Sequence, residues 1–304
     1  MMAASPTAIW PAAGRPIDDK PFDPRRPRVT LAATRYALVG RLGRGAGSDV
    51  YLARRDERLT ERVILYALRN RSNEDLLRRT FNLLTELAAS GAQGADHFTR
   101  LLPQPVALGP VTAADRSARL GAAYRVPDGF HHSIEDLRGV YPTGVAPEHG
   151  VWLGKRVLEL LGWLHRAGWV HGAVAPEHAM VHPRDHGVIL VGWSASRPLA
   201  RAESLRVRAR ALRPFYPEAE WAGAAMSPRA DLVMLARTLA YAMGAAAGSV
   251  AMPEAVPAPL AGFIREAESG RFSDALLMKE QLDAVARTCF GPPRFHKLNM
   301  PGWR

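Results

Sequence analysis

Apolar residues fall in short, partly alternating runs through the first part of the chain and on a helical period through the rest. Tyr36 to Leu42 reads as a strand leading into LGRGAGSDVYLARR, a Gly-rich turn between two β-type segments. Arg62 to Leu68 (RVILYAL) predicts a further strand, and so does Leu120 to Val126, which the break VPDG closes. Between them Asp75 to Ala88 has helical spacing through Leu76, Leu83, Leu84 and Leu87. Past the break helices dominate. His149 to Ala167 sets Leu153, Val157, Leu160, Leu161 and Leu164 on one face, with Gly168 as the stop. Ser227 and Pro228 form an N-cap and first-turn pair for a helix running to Met243. Ser273 to Cys289 predicts the last helix, with Met278, Leu282, Val285 and Cys289 on one stripe.

These elements predict an α+β chain with a small β-rich lobe carrying one main helix and a larger, mostly helical lobe. The expected boundaries are 1–28 for an extended tail holding six prolines, 29–127 for the first lobe, 128–290 for the second and 291–304 for an irregular C-terminal tail. Trp10 in the first tail reads equally as an aromatic packed back on the domain or as a short docking motif. Leu232 to Met252 is the most apolar stretch, but Arg237 and several glycines interrupt it, so it reads as a core helix plus a loop rather than a membrane span.

Charge adds a constraint on partners. Lys and Arg total 40 against 29 Asp and Glu, a formal net of +11, and only Lys20, Lys155, Lys279 and Lys297 are lysines. Such a balance attracts acidic or phosphate-rich partners, although nucleic-acid binding needs a clustered patch. Cys289 is the only cysteine, which excludes an intramolecular disulfide and fits a reducing cytoplasm. The first residues lack a charged segment followed by an apolar run, so no secretory signal is expected there.

A series of motifs, in order, resembles the eukaryotic-type protein kinase fold from about Thr34 to Phe290. The similarity is strongest to a bacterial kinase-like subgroup with an HGAV-PEH catalytic-loop region. Gly43, Gly45 and Val50 fit the Gly-rich loop, with Ser48 at its third glycine position. VHGAVAPEH, Val170 to His178, stands where the catalytic loop belongs and keeps His171, Pro176 and Glu177. Pro217 and Glu218 match the A-P-E motif, Asp231 the aspartate that opens the central helix, and Arg271 the arginine that pairs with the A-P-E glutamate. The resemblance therefore implies a Glu218–Arg271 ion pair, buried or half-buried.

The same resemblance shows where the chain departs from its family. Tyr66 stands at the phosphate-binding lysine and Thr80 at the glutamate that pairs with it; losing both avoids the roughly 3–5 kcal/mol cost of stranding one buried charge. A shifted register would instead offer Arg69 or Glu86. Ile64 replaces the small residue that packs on adenine and would overfill that close-packed site. Ala173 replaces the catalytic aspartate, Ala175 the nearby lysine, His178 the metal-binding asparagine and Gly192 the metal-binding aspartate. Phosphoryl transfer rests on positioning and on charge stabilisation by lysine and magnesium, and magnesium needs oxygen ligands. The expectation is a pseudokinase with a vestigial nucleotide cleft, no cofactor, little or no ATP and Mg²⁺ binding, and a role as scaffold or allosteric regulator of another protein. The alternatives are an unorthodox ATP-dependent serine/threonine kinase or other transferase, and a basic nucleic-acid-binding module.

Three further features have two readings each. His171, His178, His182 and His186 recur near every fourth residue, a metal stripe on a helix, but the two short strands expected over Ala179 to Pro183 and Gly187 to Val191 favour separate loop histidines. Trp193 is a ligand-stacking platform or, more simply, the aromatic of the D-F-G position, packed beside His171 and Leu84. Arg206, Arg208 and Arg210 share one face of an extended segment, either a solvated loop or a docking patch for an acidic partner or nucleic-acid phosphates. No aromatic is interleaved between Arg197 and Arg213, which weakens base stacking.

Overall fold

The structure, a computed structural model, describes residues 26–44, 47–56, 58–113, 117–205 and 209–300, with side chains omitted over 58–61. Trp10, Gly45, Arg206 and Arg208 lie outside the described residues. The chain divides into two compact units: one runs to Gly91 and resumes over Pro103–Pro127, and the other comprises Ala92–Leu102 and everything from Asp128.

The first unit contains β1 (Arg28–Leu31), β2 (Thr34–Arg44), β3 (Ser48–Arg55), β4 (Arg58–Leu68), α1 (Glu74–Ala88), β5 (Gln104–Ala113) and β6 (Ala118–Arg125). The strands close into an antiparallel barrel in the order β1-β2-β3-β4-β6-β5. The closing contact is β1 on β5, with Val29 opposite Ala113 and Leu31 opposite Val111. Alternation at period two explains the interior: Val29, Leu31, Tyr36, Leu38, Tyr51, Ala53, Val63, Leu65, Ala67, Val111, Ala113 and Ala123 form one buried cluster. Burying the Val29 and Leu31 side chains contributes about 3–5 kcal/mol, enough to hold a four-residue strand. Arg28 Nε, 3.1 Å from Asp56 Oδ1, anchors its start. The helix α1 packs outside the barrel on β5 and β6. It buries Leu77, Leu83, Leu84 and Leu87, so Leu77 takes the core position that spacing assigned to Leu76.

The second unit begins with α2 (Ala95–Phe98) and continues with β7 (His132–Ser133), α3 (Ile134–Val140), α4 (Pro147–Arg166), β8 (Trp169–Val170), β9 (Ala179–His182), β10 (Gly187–Leu190), β11 (Arg197–Pro198), α5 (Glu218–Ala222), α6 (Pro228–Ala242), α7 (Ala258–Glu268) and α8 (Ala275–Phe290). The helix α6 is nearly all buried and packs against α3, α4 and α7, which explains its all-round apolar sequence. The Ser227 hydroxyl accepts the Ala230 amide at 3.1 Å, the expected cap. The Asp274 carboxylate accepts the amides of Leu276 and Leu277, so α8 starts two residues later than its apolar stripe suggests. Phe98 stacks on Trp163 at 5.6 Å, an aromatic contact that places Ala92–Leu102 in this unit, in contrast to the undivided 29–127 expected from sequence. No helix among the described residues is long and apolar enough to cross a membrane.

Candidate functional site

In the second unit the segment after β8 is tied down by its own backbone. Asp231, fully buried near the start of α6, accepts the His171 and Gly172 amides at 2.8 Å each and lies 3.0 Å from His165 Nε2. The Tyr216 hydroxyl donates to the Gly172 carbonyl (2.6 Å), the Thr238 hydroxyl to Val174 (3.1 Å) and the Ser196 hydroxyl to His171 (3.0 Å). Gly172 has φ +75°, and a Cβ there would lie 2.5 Å from the Ala195 carbonyl oxygen, so no side chain replaces hydrogen at this point. His171 is fully buried, and burial pushes its pKa down to about 4 against the opposing pull of the Asp231 carboxylate. The ring of Trp193 meets His171 edge-on at 4.8 Å, and its indole N–H donates to the Leu190 carbonyl at 2.7 Å. Trp193 is thus a satisfied core residue.

Ala173 and Ala175 are buried methyl groups with neither proton acceptor nor ligand. His178 turns its ring inward and donates from Nδ1 to the Ala173 carbonyl at 2.9 Å. Burial lowers its pKa, so the ring is neutral. Gly192 adopts φ +83°, and a Cβ built on it would lie 2.5–2.6 Å from Nδ1, Cε1 and Cγ of His178. Such separations lie well inside van der Waals contact. The His178 imidazole therefore fills the volume that any side chain at position 192 needs.

In the first unit Ile64 and Tyr66 share the face of β4 opposite Val63, Leu65 and Ala67. Val50 pairs with both Gly43 and Tyr66, and Leu52 with Ile64. Tyr66 stands edge-on to Tyr124 of β6 at 5.5 Å, and Tyr124 meets Phe81 of α1 at 5.9 Å. Burial raises the Tyr66 pKa to about 12, which keeps the phenol neutral. The Thr80 hydroxyl turns back to the Leu76 carbonyl at 2.8 Å, and Glu86 is exposed. Arg69 lies 3.8 Å from Asp49, a carboxylate also reached by Arg119 at 3.1 Å. Neither shifted-register candidate contacts Tyr66 or Thr80 in any of these interactions. The link between α1 and the barrel strands at this point is aromatic, through Phe81 and Tyr124, two residues that motif reading passes over.

The expected Glu218–Arg271 ion pair is not formed. Glu218 pairs with Arg213 and its side chain is 76% exposed; Arg271 pairs with Glu266 and is 54% exposed. Both carboxylates lie five residues from their arginine, so local pairing wins. The half-buried anchor of this region is Arg237 on α6, which donates to the Tyr216 carbonyl (2.6 Å), the Pro214 carbonyl (3.3 Å) and Glu268 (2.6 Å). An arginine inside an apolar helix was the available sequence signal.

The remaining candidates separate. His182 lies 3.3 Å from Asp185, and His186 stacks on Trp152, so the histidine series does not converge on a point. Arg197 is buried and donates to the carbonyls of Ser194, Ser196 and Ser204. Arg210 is exposed but opens a 3-10 turn (Arg210–Phe215), so the extended geometry does not continue through it.

No family model and no curated protein matches the chain. Solved structures do. The PknI kinase domain of Mycobacterium tuberculosis aligns at 20% identity over 84% of this chain and 98% of its own, with a TM-score of 0.55. A point variant of that domain gives 21% identity and a TM-score of 0.57, and the BubR1 kinase domain 11% identity and 0.62 over 86% and 83% of the two chains. The chain has a protein-kinase-like α+β fold. That fold implies ATP and Mg²⁺, and the residues here do not fit the metal: positions 178 and 192 carry no oxygen ligand, and the neutral His178 imidazole stands in the space beside Gly192.

Proposed function

We propose that this kinase-fold chain is a pseudokinase that works by binding, as a scaffold or allosteric regulator of another protein in the cytoplasm. The packing of His178 against Gly192 carries the reading. An aspartate at 192 is the minimal change toward a metal site, and the His178 ring excludes it. Supporting this, the phosphate-binding lysine is replaced by Tyr66, held in an aromatic cluster with Tyr124 and Phe81, and the catalytic aspartate by the buried Ala173. The retained groups, His171, Asp231 and Trp193, all hold the backbone in place. The partner favoured by the +11 charge is acidic, with exposed Arg210 in the segment that would meet it, together with Arg206 and Arg208.

Two measurements test this reading. Incubation with radiolabelled ATP and Mg²⁺ is expected to give no label on the chain or on generic substrates, and millimolar Mg·ATP no shift in melting temperature. A ligand at 100 times its dissociation constant stabilises by about 2.7 kcal/mol, so at about 1 mM nucleotide a dissociation constant of about 10 µM or tighter would register clearly. Robust transfer would overturn the proposal and establish an ATP-dependent transferase. For the binding role, Arg206, Arg208 and Arg210 are neutralised together, which is expected to weaken capture of the native partner without changing the melting temperature. Unchanged capture would remove the arginine segment from the interface.

A further inference from the structure

Past α8 the chain has no regular element from Gly291 to Met300, yet Leu298 and Met300 are buried in the second unit. A ring stack joins these two side chains in the docking, although its tail member, Phe295, stays 67% exposed. The His186 ring, at the turn between β9 and β10, lies parallel to Trp152 of α4 with centroids 4.2 Å apart, and parallel to Phe295 at the same 4.2 Å. Two rings at that spacing cannot share a face, so His186 is sandwiched between helix and tail. Its Nε2–H donates to the His296 carbonyl (2.8 Å), and the Tyr141 hydroxyl donates to the Asn299 carbonyl (2.6 Å). His149, in the first turn of α4, stands edge-on to His186 at 6.3 Å and to His296 at 6.4 Å.

The hydrogen bonds fix what a proton would do. The Trp152 indole N–H donates to His149 Nδ1 at 3.0 Å. An indole nitrogen can only donate, so this bond requires Nδ1 to be unprotonated. Protonating His149 sets two N–H groups against each other beneath the stack. It also adds positive charge beside His186 and His296. The surroundings are basic: Arg156 of α4 donates to the His186 carbonyl at 3.2 Å, and Arg294 and Lys297 flank the stack on the tail. The nearby acids are Glu148 beside His149, Glu159, which pairs with Arg156, and Asp185, which pairs with Arg184 and His182. Attraction between a His186 cation and its two aromatic neighbours opposes release, but it acts on one ring, whereas the repulsion between the His149 and His186 cations adds to the opposed N–H groups at Trp152.

We propose that residues 292–300 form a strap that is latched onto the second unit at neutral pH and released when His149 and His186 are protonated. Burial and the neighbouring histidines hold the pKa of His149 below the ordinary value, and burial with Arg156 does the same for His186. The latch is therefore closed at neutral pH and opens only on acidification. Release uncovers Trp152 and the His186 ring.

The test is trimming of the 304-residue chain by a carboxypeptidase active over the range, at about pH 7.5 and about pH 4.5, the lower value set well below the ordinary histidine pKa because both pKa values are lowered. A free peptide of the sequence GPPRFHKLNMPGWR in the same tube corrects for the enzyme's own pH dependence, and mass spectrometry reads how far digestion runs. Digestion is expected to stall within the strap at the higher pH and to pass Phe295 at the lower one, with the corrected rate rising about tenfold or more. In the His149→Gln/His186→Phe variant, where an amide oxygen still accepts the indole N–H and an aromatic ring still fills the stack, the ratio between the two pH values is expected to return to about one. Phe295→Ala is expected to be trimmed at both. Equal corrected rates for the wild type at the two pH values would overturn the proposal, and so would an acid-induced rise that persists in the double variant.

Discussion

Gly192→Asp restores the side chain that a metal site needs and tests the packing argument directly. The backbone at 192 has φ +83°, which costs an L-residue with a Cβ about 1–2 kcal/mol. The Cβ then meets the His178 ring at 2.5–2.6 Å, and that ring is held by its bond to the Ala173 carbonyl and cannot swing away without breaking it. Overfilling a packed site costs about 1–3 kcal/mol more. The expected destabilisation is therefore about 2–5 kcal/mol, read from urea unfolding followed by circular dichroism with an unchanged m-value. The same substitution in a His178→Ala background lacks the clash and should cost only the backbone share. The two positions should then show a coupling of about 1–3 kcal/mol in a double-mutant cycle. The reasoning is refuted if Gly192→Asp costs less than about 1 kcal/mol, or if its cost is the same with and without the His178 ring.

Three further outcomes are expected. His171 has its pKa lowered from 6.5 to about 4 in the folded chain, so its contribution is fully present above pH 6.5 and is lost as pH falls towards 4. This amounts to about 3 kcal/mol, and His171→Asn should flatten the stability–pH profile in that window. Asp231→Ala strands two buried amides and the His165 N–H, and should cost about 3–5 kcal/mol in chemical denaturation. Arg237→Ala should cost about 2–4 kcal/mol, because it frees two carbonyls and the Glu268 carboxylate, whereas Glu218→Ala should stay within about 1 kcal/mol; equal effects in thermal melts would show that Arg237 is not the anchor.

The helices were legible because their apolar stripes are long: α4 and α6 appear with nearly the expected bounds, and the Ser227 cap is as read. The barrel closure was not. The strand β1 offers only Val29 and Leu31 as apolar positions, and its partner β5 carries Pro105, Gly109 and Pro110, which read as breakers. Pairing across 80 or so residues of chain is a tertiary fact that neither segment encodes alone. In the candidate site, motif order located Gly192, His178, Tyr66 and Asp231 by position, but not what surrounds them. The packing of His178 into the space beside Gly192 depends on a loop geometry that spacing does not report. The Glu218–Arg271 expectation failed for a related reason: a motif match specifies which residues correspond, while exposed charges pair with a nearby opposite charge, here Arg213 for Glu218 and Glu266 for Arg271, each five residues away.

The closed barrel also limits how anything can attach to the first unit. An open sheet lets a visiting peptide add itself as one more strand, with affinity supplied by main-chain hydrogen bonds that scarcely depend on sequence. Here β1 occupies that position from within the chain, pairing with β2 on one side and β5 on the other. Where β1 pairs, over Thr34–Ala37 of β2 and Val111–Ala113 of β5, a binding partner meets side chains alone, and recognition there has to be written in residue identity. Under the proposed binding role, intramolecular strand pairing is at these positions a source of selectivity as well as a safeguard against edge-to-edge aggregation.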